Sequence, residues 1–371
     1  GVHAMLLAAA RRDRALALPR FSHLSAYTGL ALADLEPHFA PNRYDVERQL
    51  WLPPAADAWP NLPAPRLVQH PTYYGLADPA ADAGGADRLV DEAWGPHLPF
   101  APCGVPPAVG AVRVQSAHKL LNALTQAAWL LIDDASWLAP IDWALTLLAS
   151  TSPSPLLLAS LDAATAELGA HGAADWSALC ERLEEMHAVL AQAGIPLWGG
   201  LCEPPAGLAF DRTRLVVETA AFGWDGFDAA AWLRKRQRLQ VEMADFARVV
   251  LIATPADDAA ALAALAAALV KLKEAAPPRP PRRLPEPPAA RQVVRPRAAL
   301  GAQVRAVPLA EATGRIAAEW VCPYPPGVPV IAPGQDVSRA SVEYLTRIRA
   351  ERVPVRGCAD PALGALLIMD E

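Results

Sequence analysis

A chain of 371 residues with 53 % hydrophobic and 19 % charged content is globular and long enough for two or three cores. Its net charge of -6 offers no field that would gather nucleic acid or anionic lipid, which leaves a small molecule as the expected partner. Five widely spaced cysteines without a Cys-x-x-Cys pair argue against a disulfide framework and a zinc site, and fit a reducing cytoplasm.

The sequence opens on "GVHAMLLAAARR", a helical pattern with no cap or strand before it, which reads as a start in mid-domain. From Arg14 to Ser116 the apolar runs "RALALP", "PRLVQH", "DRLVDEA" and "VRVQS" alternate with helical stretches such as "HLSAYTGLALADL". That alternation predicts an α/β fold, a mostly parallel sheet wrapped by helices, with ligands beyond the carboxyl ends of its strands. The longest uncharged run, Trp143 to Leu161, is interrupted by serines, threonines and prolines, so neither a membrane span nor a signal peptide is expected.

Residues from about Leu156 to Ala193 read as helical, with Asp175 as the expected N-cap of "WSALCERLEEMHAVLAQ". "TRLVVETA" and "FARVVLIAT" read as strands around the helix "FDAAAWLRKRQRLQ". A closing helix, "DDAAALAALAAALVKLKEA", carries the run Ala259 to Ala268, expected to be a buried face. "APPRPPRRLPEPPAARQVVRPR" cannot form a core and reads as a solvated, semi-rigid linker with six arginines. Beyond Leu300 come the proline-punctuated "CPYPPGVPVIAPGQD" and a final helix, "SRASVEYLTRIRA", and there are no internal repeats. The expected boundaries are a large domain at 1–155, a small α+β part at 156–275, the linker at 276–299 and a C-terminal α+β domain at 300–371.

Chemistry gathers at the strand ends. Lys119 is one of only four lysines, and it follows the strand "VRVQS" together with Ser116 and His118. Asp91 ends "RLVD" and is followed by the small Ala93, while His23 follows the first strand. A lysine amine can condense with an aldehyde, whereas a guanidinium stays protonated and is a poor nucleophile. A carboxylate can keep a pyridine nitrogen protonated, an imidazole can cover a ring, and hydroxyl or ring N–H groups can hold a phosphate. Together these residues suit pyridoxal 5'-phosphate. Singly they admit plainer roles: Lys119 as a snorkelling side chain, Asp91 as a cap, His23 as a loop histidine, and Trp94 and Trp129 as packing. Tyr73, Tyr74 and His97 suggest no role.

Several segments in order are similar to one family. "QSAHKLLNALTQAAWL" and "STSPSPLLLASLD" resemble its cofactor-lysine motif and the stretch after it, and "ATGRIAAEWVCPYPPGVPVIAPGQD" resembles its C-terminal signature. "GVHAMLLAA", "RFSHLS", "HPTYYGL" and "LVDEAWGPHLPF" resemble further segments of the Orn/Lys/Arg decarboxylases, which have the aspartate-aminotransferase fold and use pyridoxal phosphate. The resemblance implies that Lys119 anchors the cofactor, Asp91 pairs with its pyridine nitrogen and His23 stacks on its ring. It further implies that Ala93 packs beneath the ring and that Ser116 and His118 contact the phosphate. Its implied reaction is decarboxylation of arginine, lysine or ornithine by a cytoplasmic homodimer or larger homo-oligomer, with no nucleic acid or membrane partner. Three departures stand out: the family's phosphate-binding loop is expected before Gly1, Trp94 replaces a common histidine, and Gln335 replaces a common glutamate. The first keeps open a truncated or non-catalytic paralogue that assembles with a full-length subunit. An aminotransferase of the same fold is disfavoured by the C-terminal signature. No acidic residue can be placed against the substrate's distal cation from sequence.

Overall fold

A computed structural model describes the chain apart from residues 42, 56, 60–63, 80–86, 278–281, 325–326 and 371. Six strands form the principal sheet: β1 (Ala15–Pro19), β2 (Glu36–Ala40), β3 (Arg66–Gln69), β4 (Arg88–Asp91), β5 (Val112–Gln115) and β6 (Trp129–Ile132). Their spatial order is β2-β1-β3-β4-β5-β6. Every neighbouring pair is parallel except β5 and β6, so the expected α/β sheet is present with one reversed edge. Central strands read as continuous apolar runs because both faces are covered: all four residues of β4 are buried.

Helices α1 (Val2–Ala9) and α2 (Leu24–Ala33) cover one face. Met5, Leu6, Leu30 and Trp137 meet Leu16, Leu18, Leu89 and Val112 of the sheet there. Gly29 permits the close approach of the two helices, since a Cβ at that position would fall 2.6 Å from Leu6 Cδ1. A single turn, α3 (Ala117–Leu120), follows β5, and α4 (Leu138–Leu148) packs beside α1.

The next helix, α5 (Pro155–Gln192), is 38 residues long and begins where Ser154 accepts a hydrogen bond from the Leu157 amide, with proline in the first turn. Asp175 is therefore inside a continuous helix and caps nothing, contrary to the sequence expectation. Burial overrides the local signal, because Trp176, Leu179, Leu183, Met186 and Leu190 line one face of the second half and enter a second core.

That second core also holds β7 (Arg214–Val217), β8 (Met243–Ala244) and β9 (Val249–Ile252), an antiparallel sheet in the order β7-β9-β8, with α6 (Gly226–Trp232) and α7 (Ala259–Glu274). Asp258 caps α7 by accepting from the Ala261 amide. Only one stripe of α7 is buried, through Leu262, Leu265, Ala266, Leu269 and Leu272; most of the alanine run faces outward.

The Pro/Arg-rich segment is tied down at particular points where it is described, while Arg283, Arg291, Arg295 and Arg297 stay exposed. Arg282 pairs with the buried Asp225 at 2.9 Å, the Gln49 amide donates to the Leu284 carbonyl at 3.0 Å, and Ala299 of α8 (Pro296–Leu300) is buried. Arg279 of the expected linker lies outside the described residues. In the C-terminal part, β10 (Val304–Pro308) pairs antiparallel with β11 (Ala365–Met369), and α9 (Arg339–Ala350) packs Tyr344, Leu345 and Ile348 onto Val321, Ile331 and Ile368. The chain thus closes on a strand, not on the expected helix, because β11 completes the ladder that β10 opens. Pro325 and Pro326 of the proline-rich signature lie outside the described residues.

Cys103 and Cys180, separated by 77 positions, are joined as a disulfide between the segment after β4 and α5. This corrects the expectation of unpaired cysteines: wide spacing in sequence does not keep apart residues that share a core.

Candidate active site

Strands β4 and β5 run side by side with Asp91 opposite Val114, so both chains leave the sheet at one edge. The Asp91 carbonyl accepts from the His70 amide at 3.0 Å, and its carboxylate accepts from the Ala93 amide at 3.2 Å. These bonds fix the turn through Ala93 to Trp94, and the carboxylate is buried.

At the end of β5, Ser116 caps α3 with its backbone, while its hydroxyl makes no cap hydrogen bond. The Lys119 amide donates to the Ser116 carbonyl at 3.2 Å. His118 Nδ1 donates to the Ala127 carbonyl at 2.8 Å, which sets the ring and leaves Nε2 as its other polar atom.

The Lys119 side chain is half-buried, and its Nζ sits 4.1 Å from the centroid of the Trp94 ring. Burial pulls the amine's pKa below its ordinary value; Asp91 and Glu242 oppose that shift by attraction, and Arg214 adds to it by repulsion. His23 caps α2, with Nδ1 accepting from the Ser25 amide at 3.2 Å. Its ring has an open side, yet the surrounding protein lowers its pKa, with Lys119 lowering it further and Asp91 opposing. Asp91, Lys119 and His23, expected from separate segments, therefore lie within mutual electrostatic reach. Ala93 adjoins Asp91, and Ser116 and His118 share the turn that carries Lys119.

A second wall was not read from sequence. Tyr73 meets Trp94 edge-on at 5.0 Å, and its hydroxyl donates to Glu242 at 2.9 Å. The guanidinium of Arg214 lies 4.9 Å from the Trp94 ring centroid and donates to the Trp94 carbonyl at 3.0 Å. Beneath it, Asp211 is held by His97 at 3.0 Å and by the Thr213 hydroxyl at 2.7 Å. Glu242 is an exposed carboxylate just before the two-residue strand β8, which is too short to leave a periodic signal.

An open cleft begins at His23 and Tyr73 and runs along Tyr74, Asp245 and Phe246 to Tyr344. It lies beside Lys119, not around it. Asp245 is already satisfied by the Tyr74 hydroxyl at 2.5 Å and the amides of Ala247 and Arg248 at 2.7 and 2.9 Å, so this carboxylate serves the cleft wall. The edge of the sheet thus offers an amine of weakened proton affinity, a buried carboxylate and an imidazole biased toward its neutral form. Such a set can capture a carbonyl and move protons.

Residues 1–195 match the family described as Orn/Lys/Arg decarboxylase, major domain, and residues 284–355 match Orn/Lys/Arg decarboxylase, C-terminal domain. The chain is 28 % identical to an arginine decarboxylase of Bacillus subtilis, over 99 % of its own length and 79 % of the relative's. Similarity to an arginine decarboxylase of Halalkalibacterium halodurans is also 28 %, over 85 % and 68 % of the two lengths. Among solved structures, the lysine decarboxylase of Francisella novicida superposes with a TM-score of 0.79 at 17 % identity, covering all of this chain and 69 % of that one. The constitutive lysine decarboxylase of E. coli gives 0.78 at 16 %, again over all of this chain and 69 % of the other. At these identities the two superpositions speak to the fold.

Proposed function

The chain belongs to the Orn/Lys/Arg decarboxylase family, and from that premise we propose that it removes the α-carboxylate of a basic amino acid, arginine, lysine or ornithine, using pyridoxal 5'-phosphate held at Lys119. The observation that carries the reading is the convergence of Lys119, Asp91 and His23 at the carboxyl edge of β4 and β5. The donor set fits the cofactor. An amine of lowered proton affinity is available for covalent attachment, and a buried carboxylate, fixed by an amide, is available for the ring nitrogen. The Ser116 hydroxyl, unused in capping, is available for the phosphate.

When bound, pyridoxal phosphate supplies a ring that accepts electron density from the substrate α-carbon as carbon dioxide leaves. Asp91 would keep the ring nitrogen protonated, His23 would lie against the ring, and Ala93 would leave room beneath it. Ser116 and His118 Nε2 would hold the phosphate. Lys119 and His23 would be the groups that return a proton to the α-carbon. Leucines exposed on α4 and at the start of α5, among them Leu147 and Leu156, support a homo-oligomer. The free thiols Cys202, Cys322 and Cys358 support a cytoplasmic location, against the Cys103–Cys180 bond. We keep 1–155, 156–275, 276–299 and 300–371 as the proposed domain limits.

The test is to load the purified protein with pyridoxal phosphate, reduce it with borohydride and map the adduct by mass spectrometry, then to follow carbon dioxide release from arginine, lysine and ornithine. An adduct on Lys119 and release from at least one substrate are expected. No adduct on Lys119 would overturn the reading. Transfer of the amino group to a 2-oxo acid without carbon dioxide release would replace it with an aminotransferase.

A further inference from the structure

Trp94 stands three positions after Asp91, and its indole is shared by two cations, the Lys119 amine at 4.1 Å and the Arg214 guanidinium at 4.9 Å. The ring is buried and braced: Tyr73 meets it edge-on, and Arg214 holds its backbone carbonyl. Arg214 is itself fixed by Asp211, 3.8 Å away. Of the three residues against the ring, Tyr73, Arg214 and Lys119, only Lys119 sits on a single helical turn, and its side chain is half-buried.

The charged groups facing that amine are Asp91 from β4, His23 from the α2 cap, Arg214 from β7 and Glu242 just before β8. Left to charge alone, a lysine between two carboxylates would close an ion pair with one of them. That would fix it as an ammonium and divert the carboxylate. Here both carboxylates act on the amine by charge, and a π face occupies the contact position. An aromatic face attracts a cation without offering a proton acceptor strong enough to trap it.

We infer that Trp94 is a positioning residue for Lys119, holding the amine by its indole face at the end of β5 and away from a closed ion pair with Asp91 or Glu242. This deepens the decarboxylase reading, since it concerns the amine to which that reading attaches the cofactor. The contact favours the charged form, so removing it lowers the amine's pKa beyond what burial has already done. It also releases the side chain to swing.

The experiment reads Lys119 directly in the cofactor-free chain. Acetylation by acetic anhydride is followed against pH by peptide mass spectrometry in the wild type, Trp94→Phe and Trp94→Leu, with near-ultraviolet circular dichroism as the check on folding. In Trp94→Leu the titration midpoint of Lys119 should fall by about one pH unit. Trp94→Phe, which keeps a weaker face, should fall by a fraction of that and so restore part of the wild-type behaviour. A folded Trp94→Leu chain with the wild-type midpoint would overturn the proposal. If that variant does not fold, an unchanged midpoint in Trp94→Phe would do the same. The cofactor arm is separate: a wild type that forms no borohydride-stable adduct at Lys119 sinks the decarboxylase reading and leaves the titration result standing.

Discussion

Asp91 and Val114 face each other in register across β4 and β5, which places the aspartate and the turn carrying Lys119 at the same edge of a rigid parallel sheet. Side chains fixed in this way are held by backbone ladders on both sides, so a substitution that preserves shape tests chemistry with little disturbance of the fold.

Lys119→Arg keeps a cation able to lie over Trp94 and removes the nucleophilic amine. The variant should fold with an unchanged near-ultraviolet circular dichroism spectrum, form no borohydride-stable adduct with pyridoxal phosphate and release no carbon dioxide. An adduct that persists would show that another residue carries the cofactor.

Asp91→Asn is nearly isosteric and retains an oxygen for the Ala93 amide. Attachment at Lys119 should survive, while turnover should fall by about a hundredfold or more, because a neutral amide cannot hold a proton on the pyridine nitrogen. Steady-state rates within a few-fold of wild type would remove Asp91 from its assigned place.

Asp211 makes a prediction about acid stability. Burial pushes its carboxyl up, but His97, the Arg214 guanidinium and the Thr213 hydroxyl outweigh that and bring it down to about 2 from an ordinary 3.8. A carboxylate with a depressed folded pKa stabilises the protein above the unfolded value, and the contribution is lost as pH falls through the folded one. Relative to Asp211→Asn, the wild type should lose about 2 kcal/mol between roughly pH 4 and pH 2. Denaturant unfolding of both proteins across that window checks it; a difference that does not change with pH would refute the pairing.

Leu147 and Leu156 are 59 % and 74 % exposed on adjoining helices, with Leu148 and Leu158 beside them. Leu147→Glu combined with Leu156→Glu places charge on this apolar surface without touching a core. If the surface joins subunits, sedimentation velocity should show smaller particles than the wild type forms, with the circular dichroism spectrum unchanged. An unaltered sedimentation coefficient would move the interface elsewhere.

Much of the sheet edge was legible because its residues ride on short strands that end in polar side chains. Asp91, Ser116 and His23 each follow an apolar run, and the order of the runs is the order of the parallel ladder's members. Glu242, Arg214 and Tyr73 were not legible as one wall, since they come from three elements joined only by tertiary packing. Asp175 misled because a capping residue before an apolar stripe looks the same whether a helix begins there or passes through; burial of Trp176 and Leu179 decided it. Cys103 and Cys180 misled for a related reason, as spacing along the chain carries no information about two residues drawn into one core.

The length of α5 has a mechanical consequence. Thirty-eight helical residues make a rod about 57 Å long. Its second half is gripped by the core, while its first half is mostly exposed and tied by Ser160 and Glu167 to the segment after α3, so Trp176 marks where a tilt of the rod would pivot. From Trp176 to the tip at Pro155 is about 32 Å, so a tilt of about 5° at the pivot swings the tip by about 3 Å. Trp176 lies against the ring of His97, with centroids 4.7 Å apart, and His97 holds Asp211, which holds Arg214 beneath Trp94. The gripped half of the rod is therefore joined to the surroundings of Lys119 by an unbroken run of ring, hydrogen-bond and charge contacts.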